Sequence, residues 1–353
     1  MLADIWTTDG HGYIRNAEFP PKRIRFRRKD SVSVSTRLQR CLPTPARSAS
    51  PSNAGGSLRE VLRAGSTACP QDFVQRCRRA GRSVVLFLGC GRTRVRKKID
   101  IMLIPGLTSV SFRKLSCSEI ITMAKKAGLA CVEWGSDIHV PYGNIVNAHE
   151  VQKLMDNSGL YTSSYGSYYS CGFSNKDVDF EKILETAIEL KAPTIRVWAG
   201  KKSSTDCTPE EFKAVVRDSR YIADLAHQAD IAIAFEFHAN TLNDHAEATI
   251  RLMNEINRSN VGTYWQTTGS GIQFAECLTG LKDVLPWLQN IHVSHHNSAG
   301  LLPLEEGKEI WRAYLKTTTQ KQGRYHALIE FVRNNDPEAL ANDANTLKIL
   351  CEQ

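Results

Sequence analysis

From residue 102 onward, short apolar runs alternate with longer amphipathic ones. The runs are LTSVSF (107–112), ACVEW (130–134), TSSYGS (162–167), TIRVW (194–198), IAIAFEF (231–237), VGTYW (261–265), NIHVS (290–294) and ALIEFV (327–332). Most are unbroken stretches of β-branched and aromatic residues, as parallel strands buried on both faces should be. TSSYGS carries the weakest signal. The intervening segments bear helix start signals. Ser116 precedes Glu119 by three residues, a capping-box spacing. Thr208-Pro209-Glu210-Glu211 sets a cap, a first-turn proline and two acids before a long amphipathic run, and Asp336-Pro337-Glu338 repeats the device. Gly128 and Gly159 stand where helices stop. Eight strand–helix units in about 250 residues predict a (β/α)8 TIM barrel over 102–353. An open doubly wound sheet is the alternative, but no GxGxxG follows the first strand to support it.

The first hundred residues lack any such period. Residues 1–98 carry 21 lysines and arginines against 6 acids, whereas 99–353 carry 24 against 31, so the net charge of +8 hides a basic piece and an acidic one. Arg-rich clusters (KRIRFRRK, RTRVRKK) and the stretch PTPARSASPSNAGGS leave little apolar surface to offset chain entropy. Residues 1–101 are therefore expected to be a basic extension of low order. It reads as a disordered leader or as an extension upstream of a true start at Met102. A phosphate-binding arm, an organellar transit peptide and a lipid-binding patch are the functional alternatives. A tryptic peptide from this region in the native protein would exclude the upstream-extension reading.

Ten scattered cysteines without a CxxC pair argue against a disulfide scaffold or a zinc ribbon and point to reduced thiols in a cytoplasmic protein. No apolar run is long enough for a membrane span.

In a barrel of this kind, catalytic groups come from the carboxyl ends of the strands. The polar residues there are Glu133 and His139 after the second strand, Arg196 on the fourth, and Glu236 and His238 on the fifth. Gln266 follows the sixth, His292 and His295 belong to the seventh, and Glu330 to the eighth. Glu236 and Glu330 interrupt apolar strands, and a buried carboxylate is costly unless paired or bound to a metal. Taken singly, such a glutamate reads as a salt-bridge partner, here of Arg196, and His238 as a satisfied core histidine. Recurrence at equivalent positions of four successive strands points instead to a site. Two carboxylates, an imidazole and an amide oxygen make an O/N ligand set suited to Mn²⁺, Mg²⁺, Co²⁺ or Zn²⁺.

The stretches GLTSVSFRKL, VEWGSDIHVPYGN, IRVWAGKKSS, FEFHANTLND, TYWQTTG, IHVSHH and ALIEFV, in that order, resemble the sugar phosphate isomerase/epimerase group of the xylose-isomerase-like barrels. The resemblance implies a divalent metal held by Glu236, Gln266, His292 and Glu330. Gln266 offers a neutral oxygen where the family has an aspartate, which weakens the hold on a hard dication unless a carboxylate elsewhere compensates. Gly269 and Ser298 stand where related keto-sugar epimerases have a histidine and an arginine, so substrate handling should differ from theirs.

The implied reaction is isomerisation or epimerisation of a sugar or sugar phosphate through an enediolate, with Glu236 and Glu330 exchanging the proton from opposite faces. His139 and His238 are the candidates for orienting hydroxyls, and Arg196 for binding an acid or phosphate. Trp134, Trp265 and His295 complete the expected substrate contacts, although His295 also reads as loop surface. A small sugar or sugar acid is the expected partner; a homo-oligomer is compatible with the chain, and membrane and nucleic acid are not expected. The rival readings are a sugar-binding barrel that has lost turnover, and a metal-dependent hydrolase or endonuclease. The acidic balance of the barrel disfavours the nuclease.

Overall fold

The computed structural model describes residues 102–173, 178–267 and 273–352. The basic extension expected over 1–101 and the Gly269 position lie outside them. Eight parallel strands close a barrel: β1 (Met102–Thr108), β2 (Cys131–Gly135), β3 (Tyr161–Ser170), β4 (Thr194–Trp198), β5 (Ala232–Phe235), β6 (Val261–Trp265), β7 (Leu288–Val293) and β10 (Arg324–Ile329). β1 closes the ring by pairing with both β2 and β10. A short antiparallel hairpin, β8 (His295–Asn297) and β9 (Gly300–Leu302), follows β7. Outside run α1 (Cys117–Lys126), α2 (Ile145–Ser158), α3 (Phe180–Glu189), α4 (Pro209–His227), α5 (Ala246–Ile256), α6 (Phe274–Val284), α7 (Lys308–Thr318) and α8 (Pro337–Cys351).

The start signals do what their chemistry requires. Ser116 and Thr208 form capping boxes with Glu119 and Glu211, and the Asp336 carboxylate accepts from the Glu338 N–H. Gly159 ends α2 with φ at +78°, a conformation that costs glycine nothing.

Alternation along each strand divides the interior in two. Outward residues such as Val132, Ile195, Ile233, Phe235, Ile291 and Ile329 build the large core between barrel and helices. Inward residues fill the barrel, with a small apolar layer of Ile104, Cys131, Ala234, Tyr264 and Leu328. A Cβ at Gly106 would come within 2.5 Å of Cys131 Sγ, so that layer closes only around a glycine.

Two elements differ in extent from the sequence reading. LTSVSF enters the first strand only with Leu107 and Thr108. β1 ends at Thr108 and Ser109–Phe112 is a 3-10 turn, because its hydroxyls serve neighbouring strand ends: Ser109 Oγ accepts from Gly135 N–H and Ser111 Oγ from Phe331 N–H, both at 2.9 Å. The faint signal of TSSYGS hides a ten-residue strand whose buried hydroxyls find partners, with Ser167 Oγ donating to the Arg196 carbonyl and Tyr165 to that of Val140, each at 2.7 Å. No helix among the described residues is long and apolar enough to cross a membrane.

Candidate active site at the barrel mouth

The alternation that builds the core also aims the site. Glu236 extends β5 by one ladder bond, its N–H donating to the Val197 carbonyl, and keeps the inward direction of Ala234. Glu330 does the same beyond β10, donating to the Val293 carbonyl. His292 is an inward residue of β7, and Gln266 follows β6 on the side of Tyr264. One ligand atom from each of Glu236, His292 and Glu330 lies within 4.8 Å of the others, and all three residues are buried. His292 Nδ1 is at the centre, 3.2 Å from Glu330 Oε2, 3.7 Å from Glu236 Oε1 and 3.1 Å from Gln266 Oε1. The Gln266 Nε2 group donates to the Phe237 carbonyl at 2.7 Å, which turns the amide oxygen toward the cluster. All four residues of the expected ligand set are thus brought together.

A third carboxylate belongs to the same layer. Glu133, on β2, is 2% exposed, accepts from Ser164 Oγ at 2.7 Å and from Arg196 Nε at 2.9 Å, and lies 3.4 Å from His292 Nε2. Arg196 spans two of these acids, its Nη1 bonding Glu236 Oε2. That oxygen also accepts from Trp198 Nε1 at 2.5 Å. The Tyr168 ring sits 5.1 Å from the guanidinium, held there by a strand bulge and a left-handed backbone at φ +55°. A Cβ at Gly166 would meet Nη2 at 2.6 Å, so the guanidinium occupies space that only glycine leaves open.

The charges do not balance. Three buried carboxylates face one guanidinium and one imidazole. Burial raises the affinity of Glu133 for its proton, but Arg196 and His292 outweigh it and hold the carboxyl at about 2. Glu330 is likewise lowered, against its burial, mainly by His292. His292 is pushed down by burial and more strongly up by Glu330 and Glu133, reaching about 9. Even with the imidazole charged, one negative charge is uncompensated; with it neutral, two are. Excess buried charge of one sign is expensive, and a divalent cation among these oxygen and nitrogen donors would relieve it. The residues fit such an ion.

His238 lies beside this cluster. Its ring stacks on Trp198 with centroids 5.3 Å apart and an interplanar angle of 26°, and its Nδ1 donates to the Ala239 carbonyl at 2.7 Å.

Other expected contacts are placed elsewhere. Trp134 and Trp265 alternate out of phase with Glu133 and Gln266 and so point into the barrel–helix layer. Trp134 is fully buried there, and Trp265 packs on Trp311 and Tyr314 of α7. Neither lines the mouth. His139 is buried against Trp134, with its Nε2 3.2 Å from the Leu115 carbonyl, on the outer side of β2. His295 is on the β8–β9 hairpin with its ring against Gly307. Arg196 is at the site but is engaged by Glu133 and Glu236, so it is not the free cation expected for a substrate acid or phosphate. Sequence reasoning noted Glu133 at a strand end without counting it in the ligand layer, and missed Trp198 and Tyr168. The signals were available: Glu133 interrupts ACVEW as Glu236 interrupts IAIAFEF, and Trp198 follows Arg196 by two.

Comparison with known proteins agrees with this architecture. Residues 121–315 match the description of the xylose isomerase-like TIM barrel family. A 3-dehydroshikimate dehydratase of Bacillus anthracis is 26% identical over 246 residues, which is 65% of this chain and 87% of that protein. The crystal structure of a probable 3-DHS dehydratase of Bacillus anthracis, involved in petrobactin synthesis, superposes with a TM-score of 0.59 at 20% identity, covering 70% of this chain and 99% of the other. A D-psicose 3-epimerase crystallised in the presence of D-fructose gives 0.53 at 15% identity, covering 70% and 97%. The low identities make these two structures evidence of fold alone. With the family match spanning more than half of its length, the chain belongs to the xylose isomerase-like TIM barrel family.

Proposed function

We propose that the barrel is a divalent-metal-dependent enzyme that removes a proton next to a carbonyl of a small hydroxylated keto compound and expels a neighbouring hydroxyl as water. The observation that carries this reading is the convergence of Glu236, Glu330 and His292 on one point. Two carboxylates so gathered can share one ion, and this reading does not rely on the exchange by two opposed bases that the sequence suggests. His238 is left as the base at the mouth.

Glu236 Oε1, Gln266 Oε1, His292 Nδ1 and Glu330 Oε2 would hold the ion, with Mn²⁺, Mg²⁺, Co²⁺ or Zn²⁺ suited to such donors. When bound, it supplies Lewis-acid polarisation of a substrate oxygen. Arg196 and Trp198 keep the second oxygen of Glu236 occupied, so Oε1 is the one that would hold the ion. The His238 Nδ1–H is committed to Ala239, which leaves the Nε2 lone pair to accept a proton. The C–H bond breaks toward Nε2, and its electrons form a carbon–carbon double bond as the adjacent C–O bond breaks. His238 returns the proton to the departing hydroxyl, and water leaves.

The dehydratase relative supports this outcome, and 3-dehydroshikimate is the first substrate to offer. The same first step admits a second outcome, reprotonation of the same carbon of a ketose on its other face. Incubation with Mn²⁺ in heavy water, using 3-dehydroshikimate and a panel of ketohexoses, separates them. Elimination yields a conjugated product that absorbs in the ultraviolet. Epimerisation leaves deuterium in an otherwise intact sugar. Absence of both across the panel, with Mn²⁺ bound, would count against proton chemistry and favour a sugar-binding barrel.

A further inference from the structure

We infer that Glu133 is a positioning residue for the metal centre, setting the tautomer of His292 and the orientation of Glu236 from behind. The inference rests on the metal-binding reading of the cluster. Glu133 offers no oxygen to the ion. Its Oε2 takes the Ser164 hydroxyl, and its Oε1 faces Arg196 Nε and His292 Nε2.

His292 presents Nδ1 to Glu236, Gln266 and Glu330. An imidazole that gives its Nδ1 lone pair to a metal must carry its hydrogen on Nε2. At present Nε2 is 3.4 Å from Glu133 Oε1, outside hydrogen-bond geometry, and among the described residues it has no other acceptor. A turn of the ring that brought Nε2 into hydrogen-bond geometry with Glu133 would link the carboxylate, the imidazole and a bound ion.

The same carboxylate reaches a second ligand through Arg196. By holding Nε at 2.9 Å, Glu133 fixes the plane of the guanidinium whose Nη1 engages Glu236 Oε2, which turns Oε1 of that residue toward the cluster. Glu133 also restores, beside the ligand set, the negative charge that Gln266 does not bring to it.

The test is Mn²⁺ titration calorimetry on the full chain and on Glu133→Gln and Ser164→Ala. A second readout is the nitrogen–proton spectrum of histidine-labelled, Zn²⁺-loaded protein. Glu133→Gln should weaken Mn²⁺ binding by about 10- to 100-fold and move the His292 Nε2–H resonance. Ser164→Ala, which frees one oxygen of Glu133 and leaves its charge, should cost a few-fold, and it decides the matter if Glu133→Gln does not fold. Unchanged affinity and an unmoved resonance in the folded variants, with Mn²⁺ bound tightly by the wild type, would overturn the positioning role. A wild type that binds none of these ions would overturn the metal reading itself, and the inference with it.

Discussion

The barrel interior holds two polar layers, and they are built on opposite terms. At the floor, His326 lies with one nitrogen 3.1 Å from the Tyr161 hydroxyl and the other 2.9 Å from Asn290 Oδ1, while Asn290 Nδ2 donates to Tyr264 at 2.8 Å. Burial first, then the neighbouring Arg324, push His326 down to about 4. It is a neutral imidazole whose Nδ1–H donates to Asn290 and whose Nε2 accepts from Tyr161. At the mouth, the same strands carry charge instead of neutral dipoles. β7 supplies Asn290 to one layer and His292 to the other; His326 of β10 is followed four residues later by Glu330. The floor satisfies itself, whereas the mouth keeps an uncompensated negative charge. A polar layer inside a barrel can thus be read by its balance: a closed one holds the fold, and an unbalanced one marks a candidate binding site.

The largest expected effect tests the mouth. Glu236→Gln should abolish tight Mn²⁺ binding and lower turnover by roughly a thousandfold, about 4 kcal/mol of barrier, while thermal unfolding of the metal-free protein moves by only a few degrees. Calorimetry and a melting curve on the same sample check both halves. His326→Ala should do the reverse. Loss of a part-buried ring with two orphaned partners costs about 2 kcal/mol of stability, and Mn²⁺ affinity should stay within about twofold. If the His326 variant impairs metal binding as severely as the Glu236 one, the two layers are a single network and the contrast fails.

A smaller effect separates the layers by pH. In the unfolded chain His326 takes its proton near its ordinary value of 6.5, but in the folded protein only near 4. Its contribution is therefore complete above about 6.5 and is lost as pH falls toward 4, roughly 2 kcal/mol being gone at pH 5. His292 has the opposite sign in the metal-free protein. Raised to about 9, it stabilises below its ordinary value, and that contribution is lost as pH climbs through 9. Urea unfolding at pH 5, 7 and 9.5 should show a loss on both sides, and His326→Ala should flatten the acid side alone.

The fold was legible wherever one kind of signal sufficed. TIRVW and VGTYW coincide with β4 and β6 because buried parallel strands need unbroken β-branched and aromatic residues. TSSYGS was faint because its hydroxyls find their partners only in the folded barrel. The β8–β9 hairpin, three residues on each side, is too short to show a period.

Of the site, Glu236, His292 and Glu330 were legible because a charge at the end of an apolar strand has few inexpensive explanations. Trp134 and Trp265 were misplaced because a rich side chain near a strand end was weighed without its parity; each is one residue out of phase with the inward set. The commitment of Arg196 to two acids could not be read from TIRVW, since an ion pair across strands leaves no trace in the spacing of either.

Trp198 joins two parts of the mouth in a single ring. Its N–H bonds the Glu236 oxygen, and its face stacks on His238. An indole's absorption and emission respond to both the charge beside its nitrogen and the imidazole on its face. The barrel therefore sets one of the chain's six tryptophans between the acidic cluster and His238, and the difference in emission between the wild type and Trp198→Phe isolates what happens there.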